Sequence, residues 1–323
     1  MTVRDVKGGR WLSLMVAALM CALVGAGRAQ DKPDCPAPLR EIDEAQLQAA
    51  QASAHDRGFL WRIARDGHVS HLYGSLHIGR IEWLMPGPRL REALRESNAL
   101  AIEIDIIDPE VASAFMAALP DAPTLSASTR SQVEEAAQRD CVDASAVAGL
   151  PPLLQAATLE LAAARRDGLE SALAQDLVLR GMAMAAGLPV HSLEDAQTQA
   201  AALTPPNSAD GERWLRRSLQ DLRNGRARPV MLRMAAAWER GDLDDIAAYP
   251  SWCRCIDNAS DRDFYRHLND DRNANLADRI AALHGEGLHL FAAVGALHMT
   301  GAQALPALLA RRGFTVERVS FAP

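Results

Sequence analysis

The chain carries one short pattern twice, an apolar run of strand character that ends in Gly-x-Leu-His. The first copy is Tyr73-Gly74-Ser75-Leu76-His77, and the second is Leu290-Phe291-Ala292-Ala293-Val294-Gly295-Ala296-Leu297-His298. A glycine at the end of a buried strand lets backbone or ligand approach closely. A histidine three residues later then lies just past the strand's carboxyl end, where open α/β sheets place their chemistry. Two such ends side by side would deliver two imidazoles to one cleft. Gly74, His77, Gly295 and His298 are therefore site candidates.

The segments around these motifs read as further strands and helices. Phe59 to Arg65 has strand character, Asp66-Gly67 is a hairpin turn signal, and Val69 to Ser75 returns as the second strand. A loop at Trp83 to Pro88 opens a helix through Ser97, and Ala99 to Asp105 is a third strand interrupted by Glu103. From Pro109 to Gly187 the chain is Ala-rich with helical spacing, including Leu153 to Arg166 and Leu169 to Ala186. Gly187-Leu188-Pro189 caps that region, and Val190 to Leu193 is a short strand followed by Glu194-Asp195. After a break at Thr204-Pro205-Pro206-Asn207 come helices at Asp210 to Arg223 and Val230 to Arg240, then a long amphipathic helix from Asp261 to His284. Leu288 to Val294 and Phe314 to Val319 are the last strands. Strands alternating with helices predict an α/β fold with a central mixed sheet flanked by helices. A large helical insertion, about residues 109–285, would lie between the two motif strands and cover a substrate cleft.

The first 29 residues read as a leader. Lys7 and Arg10 precede an apolar stretch from Trp11 to Val24, and Gly27-Arg28-Ala29 offers a cleavage site after Ala29. That stretch is short for a bilayer span. The expected organisation is a signal peptide at 1–29, a lead segment at 30–57, and one α/β domain at 58–323. The mature chain should be exported to a periplasm, with no membrane span left. Cleavage removes four cations and one acid, taking the net charge from −7 to −10. That balance argues against nucleic acid as a partner. In an oxidising compartment Cys35, Cys141, Cys253 and Cys255 can form two disulfides. Cys253 and Cys255 are too close for an easy bond with each other, which makes Cys141 a candidate partner for one of them, but the sequence does not fix which pairs form.

Two imidazoles and a carboxylate are the usual donors for zinc, manganese or a related divalent ion with a position left open for water. His77, His298 and Glu103 supply such a set. Glu194 could take a proton from that water, and Arg272 could stabilise a developing oxyanion. Each residue has a plainer reading. Glu103 could be an outward residue on an edge strand, and Glu194-Asp195 could serve only the first turn of a helix. Arg272 and Asn273 could simply face solvent. No His-Glu-x-x-His helix, Gly-x-Ser-x-Gly elbow or phosphate-cradling loop is present.

The sequence resembles the TraB/GumN family. The resemblance rests on Tyr73 to Gly79, Leu100 to Asp105, Leu193-Glu194, Arg272-Asn273, Phe291 to Gly301 and Arg312 to Arg318, and spans about Leu60 to Val319. Tyr-Gly-Ser-Leu-His stands where the family's usual phrase is close to Phe-Gly-Thr-x-His. The resemblance implies a fold like the erythromycin-esterase and ChaN-like group, a central sheet wrapped by helices. It also implies kinship with the Tiki metalloproteases, in which the two motif histidines and the acidic strand residue serve a metal-dependent peptidase. Carried over, His77 and His298 become ligands of a Mn, Co or Zn ion, and Glu103 a ligand or general base. The expected function is an exported metal-dependent hydrolase of peptides or small molecules. The alternative is a non-catalytic cell-envelope binding or accessory protein for a metal, haem or small ligand, associated with polysaccharide.

Overall fold

A computed structural model describes residues 35, 36, 39, 41–205 and 208–321. The leader at 1–29, most of the start of the lead segment, and Pro206-Asn207 of the expected break lie outside the described residues. Six strands form one sheet: β1 Phe59–Arg65, β2 His68–Ser75, β3 Ala99–Ile102, β4 Val190–Ser192, β5 Leu290–Gly295 and β6 Thr315–Val319. All six are the strands legible in the sequence. Their order across the sheet is β4-β3-β5-β2-β1-β6.

β1 and β2 pair antiparallel with Arg65 opposite His68, so Asp66-Gly67 is a two-residue hairpin loop. Both turn residues have positive φ, 53° and 83°, the backbone that matches the twist of the flanking strands and that Asp-Gly adopts most readily. β2 pairs parallel with β5, β5 with β3, and β3 with β4. Four neighbouring strands therefore run the same way and end at the same edge. From β3 the chain leaves towards β4, and from adjacent β5 it leaves towards β6 at the opposite edge. That divergence opens a crevice at the carboxyl ends of β3 and β5.

The centre of the sheet is apolar on both faces: every residue of β3 and β5 is buried. Helices Gln175–Ala185, Asp270–Gly285 and Leu305–Arg311 pack on β3, β5 and β6 respectively. Trp238, from helix Ala227–Glu239, is fully buried against Tyr73 and Trp83, and its indole N–H donates to the Gly74 carbonyl at 2.8 Å. A second core sits away from the sheet, where Val133, Leu159, Leu215 and Leu219 join helices Ala127–Arg139, Pro152–Ala164 and Ser208–Arg223. The region between the motif strands is thus mainly helical with its own core, and it lends one strand, β4, to the sheet.

Four sequence expectations change. The strand expected to run to Asp105 ends at Ile102, so Glu103 lies just beyond it. The helix expected from Leu169 begins at Gln175, because residues 169–174 are held elsewhere: Glu170 and Gly79 exchange backbone hydrogen bonds. The long helix at 261–284 is two, Ala259–Leu268 and Asp270–Gly285, broken where Asn269 leaves helical geometry at φ −121°, ψ −77°. Finally, the disulfides are Cys35–Cys141 and Cys253–Cys255, so Cys141 does not pair with either late cysteine. Arg254 between the last two adopts a left-handed φ of 57°, which folds the chain back far enough to bring the flanking Cα atoms to 5.1 Å.

Candidate active site

Each of the four parallel strands hands one acidic or imidazole side chain to the crevice. His77 follows β2, Glu103 follows β3, Glu194 follows β4, and His298 sits in a short 3₁₀ turn, Ala296–Met299, after β5. Register sets their order along the edge, because Ile102 pairs with both Ser192 and Ala293 while Ser75 pairs with Gly295. Glu103 is central. Its Oε1 accepts the Gly295 backbone N–H at 2.8 Å and lies 3.7 Å from His77 Nε2. Its Oε2 lies 4.0 Å from His298 Nε2.

Both imidazoles are oriented from behind. Asn273 donates its amide N–H groups to the carbonyls of His298 and Gln303, which leaves its Oδ1 to accept from His298 Nδ1 at 2.5 Å. His298 Nδ1 therefore carries the proton, and the Nε2 lone pair faces Glu103. His77 makes the matching contact, with Nδ1 3.2 Å from Asp176 Oδ1. Asp176 lies in the first turn of helix Gln175–Ala185. Neither imidazole depends on the other for its orientation.

Arg272 is locked between the two carboxylates. Its Nη2 contacts Glu103 Oε2 at 2.7 Å and also Glu194 Oε2, and its Nε donates to Glu194 Oε1 at 3.0 Å. Gln199 donates to Glu194 Oε2 at 2.6 Å and to Glu103 Oε2 at 3.3 Å. Arg272 and Asn273 thus face the site, and Asn273 is fully buried. Glu194 faces the site too, while its neighbour Asp195 caps helix Ala196–Ala202 through the Thr198 N–H, so the acidic pair divides its roles.

Burial and charge set the protonation states. Burial raises Glu103, but His298, Arg272, His77 and the Gly295 N–H together outweigh it and hold the carboxyl well below its usual range. Burial lowers His298 to about 4, with Glu103 opposing and Arg272 and His77 assisting, so this ring is neutral at pH 7. Desolvation in the cleft also lowers His77, but Asp176 and then Glu103 overcome it and raise the ring to about 9. Burial raises Glu194 against the pull of Arg272. Burial lowers Arg272 as well, and its two carboxylate partners more than reverse that.

Gly295 explains the open space between these groups. A Cβ at this position would lie 3.1 Å from Glu103 Oε1, 3.3 Å from His77 Nε2 and 3.7 Å from His298 Cδ2. The glycine therefore leaves a cradle bounded by two imidazoles and a carboxylate. Gly74 serves packing instead, since its Cβ would meet Phe59 and Met299 at 3.0–3.1 Å. Among the described residues no group of three or more His, Cys, Asp or Glu closes tightly enough to hold a metal ion as it stands. The donor types, two imidazoles and a carboxylate, are those such an ion takes. His77 Nε2 lies 3.7 Å from Glu103 Oε1 and His298 Nε2 4.0 Å from Oε2, so the imidazoles face opposite oxygens of one carboxylate.

Sequence reasoning missed Asp176 and Gln199. Asp176 and Arg180 are four apart on one face of their helix, and Arg180 reaches Asp105 at 2.6 Å, a spacing that pointed to a shared face but not to His77. Gln199 carried no signal. Neither a curated protein nor a solved structure matches the chain. The model of the TraB/PrgY/gumN family matches residues 59–318, which include every residue of this site. The chain belongs to the TraB/PrgY/gumN family.

Proposed function

We propose that the protein is an exported metal-dependent hydrolase, acting on peptide bonds, with a divalent ion held by His77, His298 and Glu103. The observation that carries this reading is the pair of imidazoles whose Nδ1 atoms are engaged by Asn273 and Asp176, leaving both Nε2 atoms turned on the ionised Glu103 over Gly295. Side-chain acceptors behind a histidine are how proteins fix the ring and tautomer of a ligating imidazole. An ion bound there would polarise a carbonyl and acidify a bound water.

The chain's own groups divide the remaining work. Glu103 Oε1, free of Arg272, faces the cradle beside His77 Nε2 and is the oxygen left to an ion. Arg272 turns one guanidinium edge to Glu103 and Glu194, and its charge favours negative charge developing nearby. Glu194, tied to Arg272 and Gln199, positions that guanidinium rather than moving a proton. Export is supported by the leader pattern at 1–29 and by two disulfides, which persist in oxidising compartments. No helix among the described residues is long and apolar enough to cross a membrane.

The close Arg272–Glu103 contact favours a second reading, a non-catalytic envelope protein that binds a small ligand in this cleft, since a guanidinium competes with an ion for Glu103. One experiment separates them. Metal content is measured for the mature protein, wild type against His77→Ala and His298→Ala, followed by hydrolysis of a peptide library. About one ion in wild type, lost in both folded variants, together with cleavage of library peptides supports the hydrolase. An ion without cleavage supports the binder, and no Mn, Co, Zn or Fe at micromolar levels ends the metallohydrolase reading.

A further inference from the structure

The end of β2 carries a hydroxyl that the fold buries and leaves unused. Ser75 is 1% exposed, and its Oγ has no hydrogen-bond partner among the described residues. A buried hydroxyl without a partner costs stability, so an unused one at a strand end needs a reason. Its position supplies one. Ser75 is in register with Gly295 on the neighbouring parallel strand. Residues in register put their side chains on one face of the sheet. Side chains earlier on that face follow the same alternation: Tyr73, two positions before Ser75, meets Phe291, four positions before Gly295, diagonally with ring centroids 5.6 Å apart. The Ser75 side chain therefore stands on the face towards which a Cβ on Gly295 would point, the face of the cradle bounded by Glu103 Oε1 and His77 Nε2.

We propose that the Ser75 hydroxyl is a substrate contact, donating a hydrogen bond to the oxygen of an acyl group, carboxylate or hydroxamate seated over Gly295. The assignment deepens the hydrolase reading and rests on it for the choice of ligand. The other polar groups at the cradle are committed. Arg272 is held by two carboxylates, Asn273 by His298 and two carbonyls, and the Gly295 N–H by Glu103. Ser75 Oγ is a buried donor at this edge that remains to be used. The ligand-free protein carries the cost of its burial, and a bound oxygen relieves it.

Acetohydroxamate is the probe, titrated by calorimetry into wild type and Ser75→Ala, each metal-free and manganese-loaded, with thermal melting of both metal-free proteins. The expected result is affinity about tenfold to a hundredfold weaker in Ser75→Ala, the loss of one hydrogen bond to a charged oxygen. Manganese affinity should stay within about twofold, because an uncharged second-sphere change adds or removes no ligand. Melting should be unchanged or raised by a few degrees, because the variant deletes an unsatisfied buried donor. A serine with a purely structural role would give the opposite, a lowered melting temperature with unchanged hydroxamate affinity, and that overturns the proposal. Equal affinity in the two proteins overturns it as well, as does absence of hydroxamate binding in both metal states. If manganese fails to bind while the hydroxamate difference persists without it, the metallohydrolase reading falls and the Ser75 contact stands.

Discussion

At the residue scale the site is an arrangement of tautomers and charges. His77 and His298 differ in state although they come from the same motif, because one has a carboxylate behind it and the other an amide. Asp176 raises His77 to about 9, whereas Asn273 cannot offset the burial that takes His298 to about 4. Replacing Asp176 with Asn removes the largest favourable contribution to the His77 cation. Its pKa should fall back towards the ordinary imidazole value, because the side chain is 57% exposed and Glu103 remains beside it, and an NMR titration of the ring reads this directly. Losing the anionic acceptor should also weaken metal affinity about tenfold to a hundredfold. An Asp176→Asn protein whose His77 still titrates near 9 would show that Asp176 is not what holds the proton.

At the element scale the decisive contact joins the His77 loop to the helical region. Gly79 and Glu170 exchange backbone hydrogen bonds at 3.0 and 2.8 Å, the Gln175 N–H donates to the Leu76 carbonyl at 2.8 Å, and Arg80 reaches the Asp167 carbonyl at 2.6 Å. The backbones come so close that a Cβ on Gly79 would lie 1.9 Å from the Leu173 carbonyl oxygen. Gly79 is needed here for space, not for an unusual φ. Gly79→Ala should therefore push the 165–176 segment off the loop, costing about 2–4 kcal/mol by overpacking and lost backbone pairing. It should also displace His77 from Asp176. Denaturant unfolding measures the first effect and the His77 NMR shift the second, and an alanine variant as stable as wild type would refute the close approach.

At the scale of the whole molecule, the helical region is held to itself by an ion-pair hub around Asp261. Its carboxylate, 1% exposed in the side chain, accepts from Arg213 at 2.9 Å, Arg217 at 3.1 Å, the Trp214 indole at 2.8 Å and the Asp257 N–H at 3.0 Å. Burial raises this group, and those four donors outweigh it and hold Asp261 well below its usual range. A carboxyl with a depressed native pKa gives its full stabilisation above its unfolded value of about 3.9, and that contribution is lost as pH falls towards the native value. The wild-type melting temperature should hold above about pH 4 and fall below it. Asp261→Asn should cost about 1–3 kcal/mol at neutral pH by removing a buried charged acceptor, while Arg213 keeps Asp210 and Arg217 keeps Asp257. Its melting curve should be flatter below pH 4, and an equally steep acid fall in the variant would assign the dependence to other carboxylates.

Much of this was legible in the chain because the relevant signals are local. All six strands, the Asp-Gly hairpin and the two motif histidines follow from alternation, apolar runs and turn chemistry within a few residues. The sequence also placed Glu103, Glu194, Arg272, Asn273 and Gly295 among the candidates, but for Arg272 and Asn273 it favoured a solvated helix face. Tertiary structure decided otherwise, because only the pairing of β3 with β4 and β5 sets Glu103 and Glu194 on either side of one guanidinium. It also decided Asp176, whose partner lies 99 positions away, and the cysteine pairing, which turned on one left-handed residue at Arg254. Periodicity and turn chemistry act over a few residues and so are written in sequence order. Which strand ends meet is set by packing of the whole core, and no local pattern encodes it.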